Sequence, residues 1–296
     1  MKKSFLVICF LLALFLFCAC GGNAPSEETE TDAPDSSTEA ETQPAPVPVT
    51  ASSYVREHNY AASLVKDTMS DGVVALLSCA EYYCDRLLSG SESGEVWVYT
   101  NSDTYAPQRV TFDTMIARKN RSGLGANCAS IANWAMIDIG VMPASAKYFG
   151  YSDNTVHGYD GGKNDYSEYI DASCEVIDAR ETTQTLADLV RKKMVKDGDM
   201  VFCKGHTFMV GTDGMLYASG HDSVWHEDLS AKTEDTKHAV FDSWRVKMTS
   251  SKDYSGYTIL AIFRIRDDYV PTHYRDENGK LTAWPSEEFI ASLNAG

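Results

Sequence analysis

The hydrophobic positions change period along the chain, and each change marks an element. Leu64, Val65, Met69, Val73, Leu76, Leu77, Ala80, Cys84, Leu87 and Leu88 recur at three- and four-residue spacing. This predicts helix over 54–88, with Asp71-Gly72 as a point where it breaks in two. Gly90 to Gly94 ends it, and Glu95 to Thr100 then alternates as a strand does. Residues 111–118 read as a short helix. Cys128 to Ile139 is the clearest helix, with Asn127 as N-cap, Gly140 at C′ and Pro143 beyond. Its Ile131, Trp134, Ala135 and Ile137 cover more than one face, which predicts a mostly buried helix. Residues 144–173 are rich in Tyr, Gly and Asp and read as an insertion. Beyond them come a strand at 174–178 and an amphipathic helix over 183–193. Short β-branched and aromatic segments follow at 199–204, 206–211, 215–219, 239–246 and 257–265, separated by turn signals, and predict an antiparallel meander. The class is α+β, an N-terminal helical part followed by an antiparallel sheet.

The first 50 residues follow neither period. Lys2 and Lys3 precede an almost unbroken apolar run, Phe5 to Phe17, of signal-peptide length. It ends in Phe17-Cys18-Ala19-Cys20, followed by Gly21-Gly22. This resembles a bacterial lipobox, which implies cleavage after Ala19, a lipid on Cys20 and anchorage on the outer face of the cytoplasmic membrane. Residues 23–50 hold seven acidic residues, no Lys or Arg and no aromatic residue. Such a stretch cannot bury enough apolar area to offset its ordering entropy. It reads as a disordered tether, and at roughly 3 Å per residue it reaches on the order of 80 Å. The expected organisation is a leader (1–19), a lipidated Cys and tether (20–50), a helical extension (51–110) and a catalytic domain (111–296).

The formal net charge of −16 argues against nucleic-acid partners and against charge-driven binding to anionic polymers. Five cysteines lie beyond the tether: Cys79, Cys84, Cys128, Cys174 and Cys203. The odd number leaves at least one free thiol, assigned to Cys128, with a Cys174–Cys203 bridge open.

Cys128 and His206 are the residues that carry chemistry. A thiol at a helix start feels unpaired N–H groups and the positive end of the helix dipole, both of which favour thiolate. A strand-borne imidazole serves as base for that thiol and as acid for a leaving amine. Taking Asp213-Gly214 as a two-residue turn pairs His206 with His221 and Phe208 with Ser219, so His221 or Ser219 is expected to orient the His206 ring. His221, His226 and Glu227 do not have the spacing of a helical zinc pair, and no phosphate-cradling glycine motif occurs. No metal or cofactor is expected.

The order of helix-start Cys128, then Asp197-Gly198-Asp199-Met200-Val201-Phe202, then His206 and a hairpin resembles the NlpC-type cell-wall cysteine peptidases. The resemblance covers about residues 120–222. It implies a papain-like core in which the Cys-bearing helix packs on the sheet. It also implies a monomeric hydrolase of peptidoglycan stem-peptide amides, with Cys128 as nucleophile and His206 as proton carrier. The family's usual third position falls at Ala218, and Asn127-Cys128-Ala129-Ser130 stands where the family has Asp-Cys-Ser-Gly. A silent surface-binding module on the same fold and a transglutaminase-like acyl transferase are the alternatives.

Overall fold

The structure is a computed structural model. It describes residues 46–92, 97–99, 125–126, 128–146, 150–152, 155–161, 165–182, 184–212, 215–220, 239–247 and 258–296. Cys20, the leader, the tether to residue 45, the helix expected at 111–118, and His221 with His226 and Glu227 lie outside these. Val47–Gly296 forms one compact α+β unit.

The N-terminal helical part is two helices, not one broken at Asp71-Gly72. Helix α1 spans Ala51–Glu57 and α2 spans Asp71–Glu92, with a short 3-10 turn at Ala62–Leu64 between them. Thr50 and Ser53 form a reciprocal capping box that starts α1. Asn59 takes the Ala61 N–H at 2.8 Å, a local side-chain bond that competes with helix and holds the break. Ser70 then accepts the first bond of α2 from Val74 N–H at 3.0 Å, so Asp71 opens that helix. Val74, Ala75, Leu76, Leu77, Cys79, Ala80, Tyr83 and Cys84 are buried over more than half its circumference. It is a central helix of the core.

Helix α3, Ser130–Asp138, packs beside α2. It starts two residues later than expected, with Ala129 as N-cap, because Ala129 is already in a helical conformation and accepts the first bond from Asn133 N–H at 2.9 Å. Its end is as expected. Gly140 has φ +87°, and the N–H groups of Gly140 and Val141 return to Ile137 and Met136 in a Schellman arrangement. The 144–173 region contains a small hairpin, β3 (Gly150–Ser152) with β4 (Thr155–His157), and helix α4, Ser167–Ser173. Its Asp/Gly composition had concealed both.

One eight-stranded sheet follows. Its members are β1 (Trp97–Tyr99), β2 (Gly125–Ala126), β5 (Cys174–Asp178), β6 (Met200–Cys203), β7 (His206–Val210), β8 (Met215–Gly220), β9 (Ala239–Lys247) and β10 (Ile259–Ile265). The order is β2-β1-β9-β8-β7-β6-β10-β5, antiparallel except for β1 with β2. β6 to β9 form the expected meander. β10 leaves it and returns beside β6, where it separates β6 from β5.

Alternation along β6 and β7 divides the core. Met200, Phe202 and Met209 face α2 and α3, whereas Val201, Cys203, Phe208 and Val210 share the other face with Leu186 and Leu189 of α5 (Leu186–Arg191). Cover on both faces explains why these strands read as apolar runs without alternation. The topology also excludes a Cys174–Cys203 bridge. Cys174 pairs with Ile265 and Cys203 with Ile259, so they lie two strands apart at opposite ends of β10, roughly 20 Å apart along the strands and beyond disulfide reach. All five described cysteines are buried, and none is in a disulfide.

The chain ends in a second hairpin, β11 (His273–Arg275) with β12 (Leu281–Ala283), and in α6, Glu287–Asn294. Asn278-Gly279 and the Ser286 N-cap are the sequence signals for these two elements. Arg275 ties the hairpin to the core. Its guanidinium donates to Asp138 and to the Tyr83 hydroxyl, each at 2.8 Å, and lies 4.4 Å from the Tyr82 ring centre. Tyr83 in turn donates to Asp138. Removing Asp138 would strand a buried guanidinium. Asp138→Ala should lower the urea unfolding free energy by about 3 kcal/mol or more, and adding Arg275→Met should recover part of the loss. A single-mutant cost below about 1 kcal/mol would mean that this network does not hold the hairpin.

Candidate active site

The strand directions gather the candidate residues. β6 ends at Cys203 and β7 begins at His206, joined by a two-residue turn in which Gly205 has φ +106°. β8 runs back and ends at Gly220, opposite Asp242 near the start of β9. Tyr99, the end of β1, pairs with Ala239, the first residue of β9, and Ala126 of parallel β2 lies beside Tyr99. Two residues later the chain reaches Cys128. The entry to α3, the start of β7, the end of β8 and the start of β9 therefore lie at one end of the sheet. The structure brings Cys128 and His206 to the same end, each 7 % exposed.

Cys203 connects them. It is the cross-strand partner of His206. Burial pushes its thiol well above the ordinary value, and the neighbouring Cys128 adds to the rise. The body of α3 packs on the Met209 face.

Cys128 stands one residue ahead of the N-cap and not in the first helical turn. It still precedes the N–H groups that a helix start leaves without intrahelical partners. His206 lies edge-on to Phe208, ring centres 4.6 Å apart, on the same face of β7. Burial lowers its pKa from 6.5 to about 4, so the ring is neutral at neutral pH and able to accept a proton.

The Asp197-Gly198-Asp199 turn fixes the register that delivers His206. Gly198 has φ +88°, and its N–H donates to Val210 at 2.7 Å while Val210 N–H returns to Asp199 at 2.8 Å. The fully buried Asp199 carboxylate takes two bonds from Arg264, both 2.8 Å, and one from Lys196 N–H at 2.8 Å. Burial raises its pKa, and the Arg264 bonds oppose the rise. Asp199 is an anchor for the strand entry.

The strand register behind the expected third member needs correction. β7 and β8 pair at Met209–Tyr217 and Val210–Leu216, and Gly211 N–H donates to Met215 at 2.7 Å. The connection is a three-residue loop, 212–214, so the two-residue count is off by one. A slip of one residue moves every side chain to the opposite face. Ser219 takes the face of Met209, and the count that paired His206 with His221 no longer holds. His221 itself lies outside the described residues. Ala218 shares the face of Phe208 and offers no polar group. Among the described residues no group of three or more His, Cys, Asp or Glu is arranged to hold a metal, and no helix is long and apolar enough to cross a membrane.

Comparison of the chain with protein-family models, with curated proteins and with solved structures returns no match.

The lowered His206 pKa has a stability consequence. Between about pH 6.5 and 4 the unfolded chain binds a proton that the folded chain refuses. Stability is retained above that window and falls on acidification through it, by on the order of 3 kcal/mol. Urea unfolding of wild type and His206→Gln across this range should show a smaller acid-side loss in the variant. Parallel curves would contradict the burial of a neutral imidazole.

Proposed function

We propose that the protein is a lipid-anchored, extracytoplasmic cysteine hydrolase with a papain-like core, cutting amide bonds in peptidoglycan stem peptides. The observation that carries this reading is the convergence of Cys128 and His206 at one sheet end around Cys203. The motif order from Cys128 through Asp199 to His206, the leader ending at Cys20 and the acidic tether supply the rest.

The chemistry needs only these side chains. The Cys128 sulfur attacks the scissile carbonyl carbon while His206 takes the thiol proton. The negative oxygen forms near the N–H groups at the start of α3, which favour negative charge. His206 then gives its proton to the departing amine, leaving a thioester on Cys128. Water, deprotonated by His206, cleaves the thioester and releases the acid.

The silent binding module is the second reading. It is supported by the apolar Ala218 at the expected third position and by the near-complete burial of both thiol and imidazole.

Incubation of purified peptidoglycan with wild type and with Cys128→Ala distinguishes the two. The hydrolase reading predicts soluble peptide fragments from wild type and a loss of at least about a thousandfold in the variant. Equal release would refute it. Wall binding by both proteins, with no release from either, would establish the second reading.

A further inference from the structure

Strand β5 ends the eight-stranded sheet, with β10 on one side and no described strand on the other. Its ladder fixes which backbone groups are in use. Arg266 N–H donates to Ser173 at 3.0 Å, and Ala179 N–H donates to Leu260 at 2.9 Å. In an antiparallel pair such bonds fall on every second residue. Glu175, opposite Arg264, and Ile177, opposite Ile262, therefore bond their N–H and C=O groups to β10. Cys174 turns its N–H back to Ile170 of α4. Val176 and Asp178 direct both backbone groups outward, and among the described residues no backbone group pairs with them.

The side chains along this edge select its partner. Glu175 and Asp178 lie on opposite faces of the strand and are 58 % and 54 % exposed. Each has an arginine beside it, and each arginine is shared. Arg180 binds Asp178 and also Asp160 at 2.9 Å. Arg264 lies 3.7 Å from Glu175, while two of its bonds, both 2.8 Å, go to the buried Asp199. Two guanidinium groups facing four carboxylates leave the edge negative. Asp171 and Glu181, exposed on either side of the strand, add to this, against Arg266 at the Asp171 end. A second copy of this chain on the same edge would bring two such rims together, which like charges oppose. An extended segment carrying cations meets the opposite sign. Between the two acids, the partly buried Val176 and Ile177 suit aliphatic neighbours.

We propose that β5 binds an extended cationic peptide segment as an added antiparallel strand. The segment residues opposite Val176 and Asp178 exchange both backbone bonds with them. Two cations separated by two aliphatic residues meet Asp178 and Glu175, one on each face. Main-chain bonds supply the affinity, and the acids set the sign of the partner. β5 stands three strands from β7, and the proposal does not rest on the hydrolase reading.

The test probe is the end-capped peptide Ala-Lys-Val-Val-Lys-Ala, titrated into the ¹⁵N-labelled full-length protein. Binding should slow amide exchange at Val176 and Asp178 by about fivefold or more, the equivalent of one hydrogen bond, and leave Glu175 and Ile177 unchanged. Replacing both peptide lysines by glutamate should abolish the effect. N-methylation of the second valine, whose N–H faces β5, should also abolish it, and N-methylation of the first, whose N–H faces away, should not. Val176→Pro removes an outward N–H and leaves the β10 ladder intact, so it should lose binding, while Val176→Ala keeps it. If Val176→Pro fails to fold, the two N-methylated peptides decide. Unchanged exchange at Val176 and Asp178 with peptide on the order of millimolar overturns the proposal. So does equal binding of the glutamate peptide, or indifference to which valine is methylated. Protection of both amides without peptide, in a protein that sediments as a dimer, would give the edge to a second copy and also overturn it.

Discussion

Strands β6, β7 and β10 are covered on both faces, so a one-residue slip would exchange the side chains of two apolar clusters. That constraint fixes where each strand begins and ends. With β6 and β7 joined by only Lys204-Gly205, His206 has to open β7 opposite Cys203. The antiparallel ladder then returns β8 and the start of β9 to the same end, and β2 delivers the chain beside them two residues before Cys128. The site is a product of strand direction and register, set by burial far from the reacting groups.

Polar anchors hold this arrangement where burial alone would not select it. Asp199 lies at the entry to β6 and is fixed by Arg264 on β10, so the two central strands are tied by charge as well as by their ladder. Arg275, Asp138 and Tyr83 do the same for the C-terminal hairpin and the two core helices. Both are ion pairs with little exposure, costly to break on one side, and each joins segments far apart in sequence. The Asp138–Arg275 pair fixes the C-terminal end of α3 to the hairpin.

Much of this was legible in the residues. The strands at 200–203, 206–210, 215–220, 239–247 and 259–265 were marked by β-branched and aromatic runs between turn signals, and the end of α3 by Gly140. Cys128 and His206 stood out by residue type and placement. Other features depended on contacts that local pattern does not encode. The break at 58–70 is held by a side-chain bond of Asn59 inside a continuing helical pattern. The start of α3 moved because Ala129, a poor cap by composition, serves as one. β10 joined β6 instead of β9, a long-range choice that hydrophobic period leaves open. The register error at 212–214 was one residue, yet it moved position 219 to the opposite face of the sheet from the one expected.

The proposed function requires the Cys128 thiol and the His206 imidazole to meet at this end of the sheet. The most direct measurement is the rate of Cys128 alkylation by iodoacetamide as a function of pH, in wild type and in His206→Ala, with labelling located by mass spectrometry. Coupled groups predict that removing His206 slows Cys128 alkylation at neutral pH by at least about tenfold and moves its titration toward that of an ordinary thiol. Identical profiles in the two proteins would show that Cys128 and His206 do not meet.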